Sequence, residues 1–179
     1  TSVKANSSWP NDAKILTGVL MRVDRLGQKL NVFGLENLRQ GWVPRWLEEM
    51  DKLEFQICLV AGKANSKGKL KKRYRRLLRL ARKAADALQV EFDRFEQMVS
   101  IETLPPSRRV LLQRVADQMR TDLCDARRVI DYASDRVFKD KTLPSREKVL
   151  SLSDGSAAYI KKGSRNPVIG YKPQLVRSR

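Results

Sequence analysis

KLKKRYRRLLRLARKAADALQVEFDRFEQMV, residues 69–99, decides the fold. Its apolar side chains are Leu70, Tyr74, Leu77, Ala81, Ala84, Leu88, Phe92, Phe95 and Val99, at steps of three or four residues. That spacing lines one face of an α-helix, and the line is long enough to be a packing seam. A second such line follows IETLPPSR, where Pro106 is suited to open a helix. It carries Val110, Leu111, Val115, Met119, Leu123, Ala126, Ile130, Ala133 and Val137. Two long helices with a short connection predict an antiparallel hairpin.

Two shorter helices precede the hairpin. Asn11 or Asp12 can cap the first, whose stripe is Ile15, Leu16, Val19, Leu20, Val23, Leu26 and Leu30. The second follows Pro44 and carries Trp46, Leu47, Met50, Leu53, Ile57 and Val60. Beyond Lys141 the texture changes to short β-like runs, VLSL, AAYI, VIGY and QLV, between Gly155, Gly163, Pro167, Gly170 and Pro173. The reading is therefore a mainly α chain: a helical bundle with a long antiparallel helix hairpin and short β-prone segments at both ends. The expected division is an extended segment at 1–12, a helical region at 13–140 and a β-hairpin-like part at 141–179.

The charge is as uneven as the hydropathy. The chain has 179 residues and a net charge of +17. Residues 63–83 hold eleven basic side chains and no acidic one, residues 155–179 hold six and none, and the remainder balances. The first block is Lys63, Lys67, Lys69, Lys71, Lys72, Arg73, Arg75, Arg76, Arg79, Arg82 and Lys83. A disordered arm has no need of the apolar stripe that runs through this block. A solvated helix face usually mixes signs to gain i,i+4 pairs, as the later helix does with Asp117, Arg120, Asp122, Asp125, Arg127 and Arg128. Like charges without counter-charges repel one another, and a polyanion relieves that by releasing its own condensed counterions. Phosphate binding is the expectation, and nothing in the block reads a base sequence. Lys161, Lys162, Arg165 and Lys172 are further candidate phosphate contacts.

Chemistry is limited by what is missing. There is no histidine, so imidazole catalysis and imidazole metal ligation are excluded. Cys58 and Cys124 fit no metal spacing and read as two reduced, partly buried thiols. No Gly-rich phosphate loop occurs. The helical carboxylates sit among basic residues and read as solvated ion pairs. Asp12 is open between a helix cap and an active-site edge, Trp9 between packing and base stacking, and Asp154 reads as a turn residue. No run is apolar enough to span a membrane, and a membrane partner is not expected.

Two segments carry a resemblance. In TSVKANSSWPNDAKILTGVLMRVDRLGQKL, the residues Thr1, Ser2, Val3, Ala5, Asn6, Pro10, Asn11 and Asp12 fit one pattern. In REKVLSLSDGSAAYIKKGSRNPVIGYKPQLVRSR, the residues Lys148, Val149, Ser151, Leu152, Lys162, Gly163, Gly170, Tyr171 and Lys172 fit a second. Together they resemble the region between the first and second catalytic aspartates of bacterial insertion-sequence DDE transposases. Ser7, Ser8 and Trp9 stand where that family usually has Ile-His-Tyr. The resemblance implies a partial RNase H-like core at the two ends, with the helices as an insertion. It also implies a parent enzyme in which three carboxylates hold Mg²⁺ for attack on a DNA phosphodiester. The first of those aspartates would precede Thr1 and the others would follow Arg179. On that reading this chain is a piece of a longer protein, with no catalytic residue, metal ligand or cofactor of its own, and is inactive by itself. Its partner is transposon-end or target DNA, a homodimer of the full-length protein is allowed, and its place is the bacterial cytoplasm, at the nucleoid. Two other readings remain: a free-standing basic helical protein associated with RNA, and a coiled-coil adaptor pairing through residues 69–99.

Overall fold

The computed structural model describes residues 3–4, 11–30, 43–61, 63–98, 104–141, 158–160 and 168–171. Four helices account for most of them: α1 (Asn11–Leu30), α2 (Val43–Val60), α3 (Lys67–Met98) and α4 (Pro106–Phe138). Each buries one stripe. On α1 the stripe is Ile15, Leu16, Val19, Leu20, Val23 and Leu30; on α2 it is Val43, Leu47, Met50, Leu53 and Ile57. On α3 the seam Tyr74, Leu77, Ala81, Ala84, Leu88, Phe92 and Phe95 is buried, and Leu78 and Ala85 widen it. The alanines let neighbouring backbones approach, while Leu77 and Leu88 fill the space between. Each fully buried leucine contributes about 1.5–3 kcal/mol relative to exposure.

The helices run alternately up and down. Arg22 of α1 meets Asp122 of α4, and Asp12 of α1 meets Arg136, so α1 and α4 are antiparallel. Glu96 meets Arg120 and Asp86 meets Arg127, so α3 and α4 are antiparallel too. Trp46 meets Lys83 and Glu49 meets Arg76, which sets α2 against α3 in the same sense. Among the described residues, α1 also reaches α3 across the bundle, whereas α2 and α4 do not touch. The cross-section is thus a rhombus with α1 and α3 on its short diagonal. This is an up-down-up-down four-helix bundle.

The ends of the helices follow from local chemistry. Pro105 precedes α4 with φ −55° and ψ 146°, and Pro106 opens it, where a missing N–H costs nothing. After α4 the N–H groups of Lys139 and Lys141 both donate to the Asp135 carbonyl. Asp140 closes that turn at φ 52°, a left-handed conformation that aspartate tolerates better than most residues.

The expected partial RNase H-like core at the ends is corrected. What the chain builds is a helical bundle, and among the described residues the hydrophobic core is entirely helical. The extended pieces are β1 (Val3–Lys4), β2 (Ala158–Ile160) and β3 (Val168–Tyr171), paired antiparallel in the order β1-β3-β2. Strands of two to four residues cannot form the layer that such a core requires. The stripe of α4 is buried as expected from Val115 to Val137, but at its start Val110 and Leu111 are 54% and 55% exposed and Leu112 faces the core in their place.

Candidate nucleic-acid interface

Burying Tyr74, Leu77, Ala81 and Ala84 forces the opposite face of α3 outward. On that face Lys67, Lys69, Lys72, Arg75, Arg76, Arg79, Arg82 and Lys83 are exposed, while Lys71 and Arg73 are half-buried. Lys63 is exposed in the turn before α3. The eleven basic residues of the block are therefore brought together, but they are not equivalent.

Both edges of the stripe are held by neighbouring helices. Toward α2, the Arg76 guanidinium donates to the Glu49 carboxylate, and the Lys83 ammonium lies 6.0 Å from the centre of the Trp46 ring. Toward α4, the Arg75 guanidinium stacks over Phe138 at 5.6 Å, and Lys67 Nζ is 3.6 Å from Asp140 Oδ2. The Nε atom of Arg73 is buried and has no hydrogen-bond partner among the described residues. Seven of the eleven are exposed with no carboxylate paired to them among the described residues: Lys63, Lys69, Lys72, Arg75, Arg79, Arg82 and Lys83. The outward face of α4 behaves differently. Arg120 is bracketed by Glu96 and Asp117, and Arg128 pairs with Asp125 at 3.4 Å, so cations of that face alternate with carboxylates of their own.

Beneath the basic stripe lies a polar cluster that joins three helices. Tyr74 Oη donates to Asp12 Oδ1 at 2.7 Å. Arg136 donates to Asp12 Oδ2 through Nε at 2.9 Å and Nη2 at 2.6 Å, and through Nη2 to Tyr74 Oη at 3.0 Å. Tyr74 is fully buried and Asp12 nearly so. Burial, then the Asp12 charge and hydrogen bond, push the Tyr74 hydroxyl far above its ordinary range. For Arg136 burial works the other way, and the charges of Asp12 and Tyr74 overcome it, so its guanidinium is held more firmly charged. Asp12 also accepts the Ala13 N–H at 2.9 Å at the start of α1, so it is a structural anchor that ties α1 to α3 and α4.

A second buried carboxylate corrects the reading of the α4 acids as solvated. Asp122 is fully buried, accepts Arg22 Nε at 2.6 Å and Arg22 Nη2 on its two oxygens, and also accepts Gln118 Nε2 at 2.8 Å. A two-pronged arginine of this kind satisfies the carboxylate that burial would otherwise strand. Cys58 is half-buried and free; Cys124, expected to be partly buried, is exposed and free. Among the described residues no group of three Cys, Asp or Glu stands close enough to hold a metal ion, and no metal step follows from them. No helix of the described residues is long and apolar enough to cross a membrane.

Lys161, Lys162, Arg165 and Lys172 lie outside the described residues, as do Trp9 and Asp154. Sequence reasoning missed Glu49, Trp46 and Phe138 as the walls of the stripe. Each read as part of a helix, and no pattern within one helix names its neighbour. No family model matches the chain, and neither does any curated protein or solved structure.

Proposed function

We propose that this chain binds DNA through the outward face of α3, as the DNA-gripping helical part of a DDE transposase, the family its two flanking segments resemble. The observation that carries the binding is the set of six exposed cations without carboxylate partners, Lys69, Lys72, Arg75, Arg79, Arg82 and Lys83, on one helix locked into the bundle. Cations held at fixed spacing on a rigid support neutralise phosphates without first losing the freedom of a flexible arm. The resemblance selects DNA among polyanions. No residue of the chain is proposed to do chemistry.

Arg75, Arg76 and Arg79 replaced together by Glu change the charge of the face by six, and binding to duplex DNA should fall by at least about a hundredfold. Fluorescence anisotropy across a salt series measures this, with circular dichroism to show that the bundle is intact. Retained affinity with an unchanged salt slope would sink the reading. Tighter binding to structured RNA than to duplex DNA favours the RNA-associated alternative.

A further inference from the structure

We infer that the α3 face grips the phosphate backbone of a duplex from outside its grooves, and so does not distinguish one base sequence from another. This rests on the DNA-binding reading and specifies how that site works.

The first argument is one of width. A major groove about 12 Å across admits a single helix. α3 is not single: α2 walls it on the Glu49 and Trp46 side, and α4 on the Phe138 side. With neighbouring helix axes about 8–10 Å apart, the three present a front roughly 25 Å wide. Because α1 touches α3 along the short diagonal, α2 and α4 stand nearly level with α3, which cannot project far beyond them. The front meets the phosphate ridges before α3 reaches the base edges.

The second argument is chemical. Between Lys69 and Lys83 every exposed side chain is Lys or Arg. No Asn or Gln is there to pair with adenine edges. Among the described residues α3 offers no aromatic ring for stacking between Lys69 and Lys83: Tyr74 is fully buried, and the flanking rings of Trp46 and Phe138 lie under Lys83 and Arg75. A single strand, whose bases need such a platform, gains only the charge interaction.

The third argument counts charges. Arg76 and Lys67 already pair with carboxylates within the bundle, and Lys71 and Arg73 are half-buried, which leaves seven exposed cations to displace counterions. At about 0.9 per neutralised phosphate, the double-logarithmic salt slope is near −6.3, not the roughly −10 of all eleven acting together.

The test uses the whole chain with two labelled DNA duplexes of equal length and unrelated sequence, and one of their single strands. Dissociation constants for the duplexes should agree within about twofold, the single strand should bind at least about tenfold more weakly, and the slope should be about −6.3. A preference above about tenfold for one duplex, parity of the single strand, or a slope near −10 would overturn the inference while leaving DNA binding standing. The Lys72→Glu, Arg79→Glu double variant separates the two claims. If it binds duplex as the unchanged chain does, the α3 site itself is wrong.

Discussion

The Tyr74 hydroxyl and the Arg136 guanidinium converge on one buried carboxylate, Asp12, from two different helices. Each partner removed leaves the buried Asp12 carboxylate or the Tyr74 hydroxyl short of a bond. Tyr74→Phe should cost about 1–3 kcal/mol, because Asp12 loses one donor and keeps its cation. Arg136→Met should cost more, about 3 kcal/mol, because the buried charge is then unpaired. Urea unfolding of the two variants beside the parent chain gives both values.

The same cluster makes stability sensitive to alkali. The folded chain holds the Tyr74 proton more tightly than its ordinary value of 10.0 allows, so folding favours the protonated form. The contribution is complete below pH 10.0 and declines as pH rises beyond it, where the unfolded chain releases the proton and the folded chain does not. The stability gap between the parent and Tyr74→Phe should therefore be constant through neutral pH and narrow above that point. A gap that widens with alkali contradicts the assignment.

Asp122 should behave unlike its neighbour Asp117. Asp122→Ala leaves Arg22 half-buried without its two-pronged acceptor and should cost about 3 kcal/mol. Asp117→Ala removes an exposed charge paired with Arg120 and should change stability by less than about 0.5 kcal/mol. Thermal unfolding of both variants distinguishes a structural carboxylate from a solvated one.

Glu49 stands at the edge of the basic stripe and competes with phosphate for Arg76. An exposed pair of this kind is worth at most about 1 kcal/mol, so a phosphate can displace it. Glu49→Gln frees the guanidinium and removes a charge that repels DNA. Affinity for duplex should rise about fivefold and the salt slope should steepen by about 0.9. Unchanged affinity and slope would show that Arg76 makes no contact with DNA.

The start of α4 offers a control within one turn. Leu112→Ala should cost about 2–5 kcal/mol, and Leu111→Ala should lie within about 0.5 kcal/mol of the parent. The first side chain is fully buried and the second is more than half exposed.

That contrast shows where the sequence was readable. The seam of α3 was plain because Tyr74, Leu77, Ala81, Ala84 and Leu88 have only Lys and Arg opposite them over the first turns, so one face alone can be buried. At the start of α4 the run Val110-Leu111-Leu112 offers three adjacent apolar residues, and helical spacing fits more than one of them. Only the packing of the neighbouring helices decides in favour of Leu112. Asp122 was misread for a related reason. Arg120 and Asp125 nearby in sequence suggest a solvated charge pattern, but its partner Arg22 lies a hundred residues away. Periodicity says which side of a helix is dry, and says nothing about which residue of another helix meets it there. The basic block was visible as a count of charges. Its division into held and available cations depends on Glu49 and Asp140, which only the packed bundle brings into contact.

Asp12 near the start of α1 and Arg136 near the end of α4 are 124 positions apart, yet they share a hydrogen bond. The polypeptide therefore enters and leaves the four helices at almost the same point. A unit with adjoining ends can be grafted into a surface loop of an unrelated scaffold without prising that loop apart. The bundle is in this sense portable: a basic handle that a host protein could carry on a single narrow stalk.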